Sequence, residues 1–224
     1  MKMESVKAHP AVAILLTLCG GFLDAFTFVG HGRIFANSMT GNIVVTAVSL
    51  AAGNRGAALA HLVPLGGFAV GVFGAHLLRL AASKDESLSA IVALLLEAVF
   101  LFVAAIAGMP QLWLIPGISF VAALQTTIFT HSGTQPYSSV MTTGNLLRAL
   151  QGLFRSTIPR RDFAGIRSAA VLATICFCFA CGATAGAVAT QRFHDIALLG
   201  PSSLAFIALI CLVALKTRNC RQEA

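Results

Sequence analysis

Charge is what this chain has least of. Asp, Glu, Lys and Arg make up 10% of its 224 residues while 57% are apolar, against about 25% charged residues in an average soluble domain. A water-soluble globular fold is excluded by that balance, and a polytopic membrane protein is what it describes. The signatures of known chemistries are missing as well. There is no G-x-S-x-G, no Walker-type phosphate loop and no paired acid motif. His31, His61, His76 and His131 show neither HxxxH nor HExxH spacing, so nothing points to a zinc site. The expectation is a protein that is not an enzyme and holds neither metal nor cofactor. Large soluble domains are also lacking, which argues against an ATP-driven pump.

Cysteine is present without a disulfide pattern. Of the six cysteines, Cys176, Cys178 and Cys181 form a C-x-C-x-x-C run inside an apolar helical stretch, where those offsets cannot all face one side. Small apolar packing is the expected role. The net charge of +7 would suggest nucleic acid in a soluble protein, but here Lys and Arg sit at segment ends, as the positive-inside rule requires. No nucleic-acid partner is expected. The start of the chain has Lys2 and Lys7 before an apolar run, yet Leu18 occupies the small-residue position ahead of Cys19 and the run continues to Val29. It reads as a retained first span rather than a cleaved signal.

What the chain does contain is a repeated polar stretch. Met39-Thr40-Gly41-Asn42 returns as Met141-Thr142-Thr143-Gly144-Asn145 with one Thr inserted. Upstream, residues 20–28 correspond to 122–130 with a shift of one position, which sets Leu23-Asp24 over Leu124-Gln125; downstream, Phe68-Ala69-Val70-Gly71 matches Phe179-Ala180-Cys181-Gly182. Three ordered matches indicate an internal duplication. Two copies in an apolar chain point to a pseudo-symmetric membrane protein.

Eight apolar segments follow from the hydropathy, at about 11–29, 43–52, 58–80, 88–108, 112–130, 144–154, 166–190 and 198–215. The fold class is therefore an all-α polytopic membrane helical bundle, a single domain over 1–224, with repeat one at about 11–108 and repeat two at about 112–215. Gly67-x-x-x-Gly71 with Gly74, and Gly182-x-x-x-Gly186 in the second copy, are expected at helix contacts.

Six to eight of the segments span. If all eight cross with the N-terminus inside, ten Lys and Arg lie inside against four outside. If the two motif segments only dip in, Arg79 and Lys84 move inside and Arg55 outside, giving eleven against three. The charge bias accepts both. Six spans are favoured, because the first motif leaves only about ten apolar residues and the second carries Arg148 and Gln151, costly against lipid. The repeats are then inverted; with eight spans they are parallel.

Thr-Gly-Asn before a helical run sets a hydroxyl and an amide where the first N–H groups lack partners, and Gly permits close approach. Capping alone would account for it in water. At membrane depth, polar groups and a free helix end belong in protein or beside a watery cavity. Asp24 is an intramembrane acid with Gln125 as its counterpart in the other copy; a cation ligand or proton carrier is the functional role, a hydrogen bond between helices the structural one. Glu97 has no acidic counterpart and ranks below it. His31 and His131, each between the first span of a repeat and its motif, are weak pH-sensor candidates.

A Gly-x-x-Asp-Ala first span (Gly21 to Ala25), Met-Thr-Gly-Asn at Met39 to Asn42, Leu124-Gln125 and a second Thr-Gly-Asn at Thr143 to Asn145 resemble the YoaK-like bacterial membrane proteins, a family of unknown function. The resemblance covers essentially the whole chain. It implies a bacterial inner-membrane protein of about six helices and supplies no substrate.

The leading expectation is a transporter or channel for a small solute or ion in the bacterial inner (plasma) membrane, both termini cytoplasmic. Its site comprises Thr40, Gly41, Asn42, Thr143, Gly144 and Asn145, with Asp24 and Gln125 beside them. The lipid bilayer and an unidentified small solute or ion are the partners, and a homo-oligomer is compatible with the sequence. The competing classes are a scaffold or sensor whose motifs cap and pack helices, and an intramembrane enzyme with a lipid-like pocket around Asp24 and Glu97.

Overall fold

A computed structural model describes residues 7–82, 86–158 and 162–222; Lys2, Lys84, Arg160 and Arg161 of the charge pattern lie outside the described residues. Eight helices match the eight apolar segments: α1 Pro10–Gly30, α2 Met39–Ala51, α3 Arg55–Ala81, α4 Glu86–Ala107, α5 Gln111–Ile128, α6 Thr142–Arg155, α7 Phe163–Phe193 and α8 Leu199–Gln222. Their ends follow from local chemistry. Pro10 opens α1 at a position where its missing N–H costs nothing, and the Asn54 and Asp162 side chains accept from Ala57 N and Ala164 N to start α3 and α7. Gly53 and Gly108, at φ of 73° and 57°, close α2 and α4 in the left-handed region that glycine enters without a Cβ penalty.

Two-residue β-bridges are the feature that hydropathy does not foretell. β1 Lys7–Ala8 pairs in parallel with β2 His131–Ser132, which pairs antiparallel with β3 Gln135–Pro136. Segments so short carry no periodicity to read.

Helix directions are fixed by contacts at both ends of α1. Its C-terminal end meets the start of α5, where the Gln111 side chain donates to the His31 carbonyl at 3.2 Å. Its N-terminal end meets the residues that follow α5, through the β1–β2 bridge. α1 and α5 are therefore antiparallel. α7 runs parallel to α1, with Gly182 against the backbone of Leu18 and Gly186 against that of Phe22; α3 runs parallel to α5, with Gly67 on Pro116 and Gly71 on Phe120. A Cβ at any of these four glycines would collide with a backbone carbonyl, so they are the close helix contacts expected of small residues.

α3 thus begins at the end where α1 finishes, the far end, and α7 begins at the N-terminal end where α5 finishes. The connecting stretches 31–54 and 129–162 accordingly leave and return at opposite ends of the bundle. α2 and α6 pack on α3 and α7, α4 packs on α8 and α5, and α8 packs on α1. Among the described residues, five continuous helical stretches are long and apolar enough to cross a membrane. The last, Phe163–Thr217, contains α7 and most of α8, separated by a 3-10 turn at His194–Leu198.

Candidate functional site

The centre of the bundle is built around Gly20, the middle of α1. Asn37, two residues before α2, donates its side-chain amide to the Gly20 carbonyl at 3.1 Å. The Ser139 carbonyl, three residues before α6, lies against the Gly20 Cα from the other loop. Each loop thus folds back from its own end to mid-depth before its helix starts. With 13 and 14 residues, α2 and α6 are each about 20 Å long at 1.5 Å per residue, enough to return to the surface from the middle.

The two loops are tied down by matching devices. Asn42 donates to the Phe35 carbonyl at 2.7 Å and accepts from the Phe35 N–H at 3.1 Å. Asn145 does the same to Ser138, at 2.6 and 3.1 Å. A side-chain amide paired with a peptide seven residues earlier satisfies both backbone groups of an otherwise unpaired turn. Neither asparagine is a helix cap; the caps of α2 and α6 are Ser38 and Met141, with no side-chain cap hydrogen bond. Each amide oxygen has a further donor, His61 Nδ1 at 3.1 Å from Asn42 and the Arg148 guanidinium at 3.1 Å from Asn145. Since Asn42 Oδ1 can only accept, His61 carries a proton on Nδ1.

Asp24 holds the first loop. One oxygen accepts from Asn37 N at 2.8 Å and Ser38 N at 3.3 Å, the other from the Ser38 hydroxyl at 2.6 Å. Gln125 holds the second loop through Oε1, which accepts from the Ser139 hydroxyl at 2.7 Å. Its Nε2 donates to both oxygens of Glu97, at 3.0 and 2.9 Å, and the Cys19 thiol approaches Glu97 Oε1 at 3.4 Å. Glu97 and Asn42 have no exposed surface, Gln125 and Asn145 are 1% exposed, and Asp24 5%.

Asp24, Gln125, Asn42 and Asn145 are therefore brought to the buried centre, with Gly41 packed against the Phe35 ring. Thr40 and Thr143 are exposed, outside that cluster, and Gly144 lies beside the Arg148 guanidinium. Glu97, Cys19, His61 and Ser139 are the members that sequence reasoning did not place in the site. A partial signal for Glu97 existed: it lies 11 residues before Gly108 and Gln125 lies 15 after Pro110, so an antiparallel hairpin brings them within about one helical turn of the same depth.

Cavities open at both ends of the α1–α7 seam. One of about 520 Å³ at the N-terminal end is lined by Pro10, Ser132, Gln135, Phe163 and Arg167. Another of about 310 Å³ at the far end is lined by Gly30, His31, Thr190, His194 and Asp195. At the far cavity His31 Nε2 lies 3.3 Å from Asp195; burial lowers the His31 pKa below its ordinary value and Asp195 partly restores it. Between the cavities the seam is shut by Gly21, Gly182 and Gly186 in backbone contact.

Residues 12–213 match the family described as "Protein of unknown function (DUF1275)". The chain is also similar to the UPF0700 transmembrane protein YoaK of Bacillus subtilis (strain 168), 30% identical over 199 residues that cover 86% of this chain and 88% of that protein. No solved structure matches. The chain belongs to the DUF1275 family, and it is a membrane protein.

Proposed function

We propose that this DUF1275 protein carries a small solute or ion across the bacterial inner membrane, using two inverted repeats whose motif helices re-enter the bilayer from opposite faces. The observation that carries the reading is the meeting of loops 31–38 and 129–141 at Gly20, each from its own end of the bundle. Helix pairing supports the repeats: α1 on α7 answers to α5 on α3, α1 on α8 to α5 on α4, and α2 on α3 to α6 on α7. Exchange of partners between copies is what an inverted duplication produces. The N-terminal end is then cytoplasmic, leaving only Arg33, Arg55 and Arg192 outside, against eleven inside.

The start of each half-helix also offers free polar atoms. Asn37 Oδ1 and Thr142 Oγ1, one beside each half-helix start, are buried without a hydrogen-bond partner. Buried polar atoms are paired in almost all cases, and a solute or ion exchanged at this depth would pair them. Two vestibules with a shut seam between them favour a carrier, alternately opened to each side, over a continuously open channel.

The test is flux in vesicles containing the purified chain, followed by stopped-flow light scattering over a panel of urea, glycerol, formate and ammonium, with ion-sensitive dyes for sodium and potassium. Protein-dependent flux of one member, lowered at least about tenfold by removing one aligned hydroxyl or amide in Asn37→Ala or Thr142→Ala, is the expected result. Flux indistinguishable from empty vesicles across the panel would overturn the reading. A second class, the scaffold or sensor, is favoured by one fact: the Asn42 and Asn145 amides are already engaged by backbone. It predicts that the same substitutions alter stability alone.

A further inference from the structure

We propose that Glu97 is a proton-binding site, coupled to the second re-entrant loop through the Gln125 amide. The inference rests on the carrier reading for its purpose, and on the geometry around Glu97 for its content.

A carboxyl group at full burial is neutralised either by a partner or by a bound cation. Among the described residues no Lys, Arg or His pairs with Glu97. The groups facing it are the titratable Cys19 thiol from α1 and the neutral Gln125 amide from α5. From α8 the Pro201 carbonyl comes only as near as the Cys19 sulfur, at 3.8 Å, and the Ser202 hydroxyl is spent on Ala98 O at 2.8 Å. A hard metal cation asks for about six oxygen ligands, whereas the immediate shell of Glu97 consists of N–H and S–H donors. A proton is the cation such a shell accepts.

The step involves one bond. A hydronium ion gives up one O–H bond as a Glu97 oxygen gains one, leaving water behind and the carboxyl group uncharged. That oxygen no longer accepts from Gln125 and needs an acceptor of its own. Rotation of the Gln125 amide by about 180° turns Oε1 toward Glu97 and Nε2 toward Ser139. The Ser139 hydroxyl, until then the donor to Gln125, becomes the acceptor. The Cys19 thiol hydrogen keeps an alternative acceptor in the Pro201 carbonyl. No other covalent bond changes, and release of the proton reverses the sequence.

Ser139 is where this becomes a movement. It belongs to the loop that touches Gly20 and whose residues Ser132, Gly133, Thr134 and Gln135 line the 520 Å³ cavity. Reversing its tether alters the hold on a loop that reaches from the centre to the vestibule. In the first repeat the corresponding loop is held by Asp24 directly, without an intervening amide. The two halves are thus held differently, and among the described residues only the second has a relay.

The experiment is infrared titration of the full chain in vesicles across the neutral pH range, taken as wild type minus Glu97→Gln, with Asp195→Asn as the control. A protonated-carboxyl C=O band that grows in this difference as pH falls, survives in Asp195→Asn and changes its midpoint in Gln125→Leu is the expected outcome. A flat difference spectrum overturns the proposal, as does a midpoint untouched by Gln125→Leu, which removes the amide that donates to both Glu97 oxygens and keeps the test open should Glu97→Gln fail to insert. Flux separates this from the carrier reading. Flux that keeps its response to an imposed pH gradient in Glu97→Gln sinks the coupling but leaves the carrier. A titrating band with no flux in any vesicle sinks the carrier but leaves the proton site.

Discussion

Asn42 illustrates how one side chain can hold a loop in place. Its amide pairs with both polar groups of the Phe35 peptide, and Asn145 repeats the arrangement at Ser138. Asn42→Ala leaves a buried donor and acceptor unpaired, which costs about 1–3 kcal/mol. We expect a lowered unfolding midpoint in detergent for Asn42→Ala and Asn145→Ala, and a change within about 0.5 kcal/mol for the exposed Thr40→Val. Equal midpoints for all three would contradict the clamp. At the far end His31 gives a pH signature. Burial puts its folded-state pKa below the ordinary 6.5, with Asp195 opposing that shift, so the unfolded chain binds more protons than the folded one. Its stabilising contribution is complete above the ordinary value and is lost as pH falls below it and through the folded value. The fall in unfolding midpoint on acidification should therefore be shallower in His31→Gln than in wild type; parallel curves would show that His31 has no part in it.

At the scale of elements, adjacent glycines of α3 make a clean comparison. A Cβ at Gly67 strikes the Pro116 carbonyl, while one at Gly66 meets nothing within 4 Å. Gly66→Ala should stabilise by roughly 0.5–1 kcal/mol through helix propensity, whereas Gly67→Ala should destabilise by about 1–3 kcal/mol as α3 is pushed off α5. Thermal unfolding of the pair reads the sign directly. Glycine spacing made this contact legible in the sequence, since small residues recurring four apart, at Gly67 and Gly71 and again at Gly182 and Gly186, mark one helix face. The eight segments were legible for a similar reason, because hydropathy reports burial in lipid or protein without regard to partners. The Asn42 and Asn145 clamps were not. A side chain reaching back seven residues across an irregular loop has no periodicity, and the paired amide looks the same in sequence as a cap. The Glu97–Gln125 contact lay between these cases, since the hairpin that joins them could be counted out from its turn while the rotation of each helix could not.

For the whole molecule, the decisive quantity is the sidedness of two arginines. α1 and α5 run antiparallel, as His31 against Gln111 and Lys7–Ala8 against His131–Ser132 require, so the first helices of the two halves point in opposite directions. Arg55, exposed after α2, then lies at the far end, and Arg155, exposed at the end of α6, lies at the N-terminal end. Eight spans in parallel repeats would instead set both on the cytoplasmic side. In a background with the six native cysteines replaced, an impermeant maleimide applied to intact spheroplasts should label Arg55→Cys and leave Arg155→Cys unlabelled until the membrane is opened. Protection of both would mean that α2 and α6 cross, and the midplane meeting of two half-helices would no longer describe the protein in its bilayer. Labelling of Arg155→Cys alone would invert the molecule, set the basic end outside, and contradict the charge asymmetry that orients it. Only the first pattern leaves each half-helix returning to the face from which its loop came, which a carrier with a site between inverted halves requires.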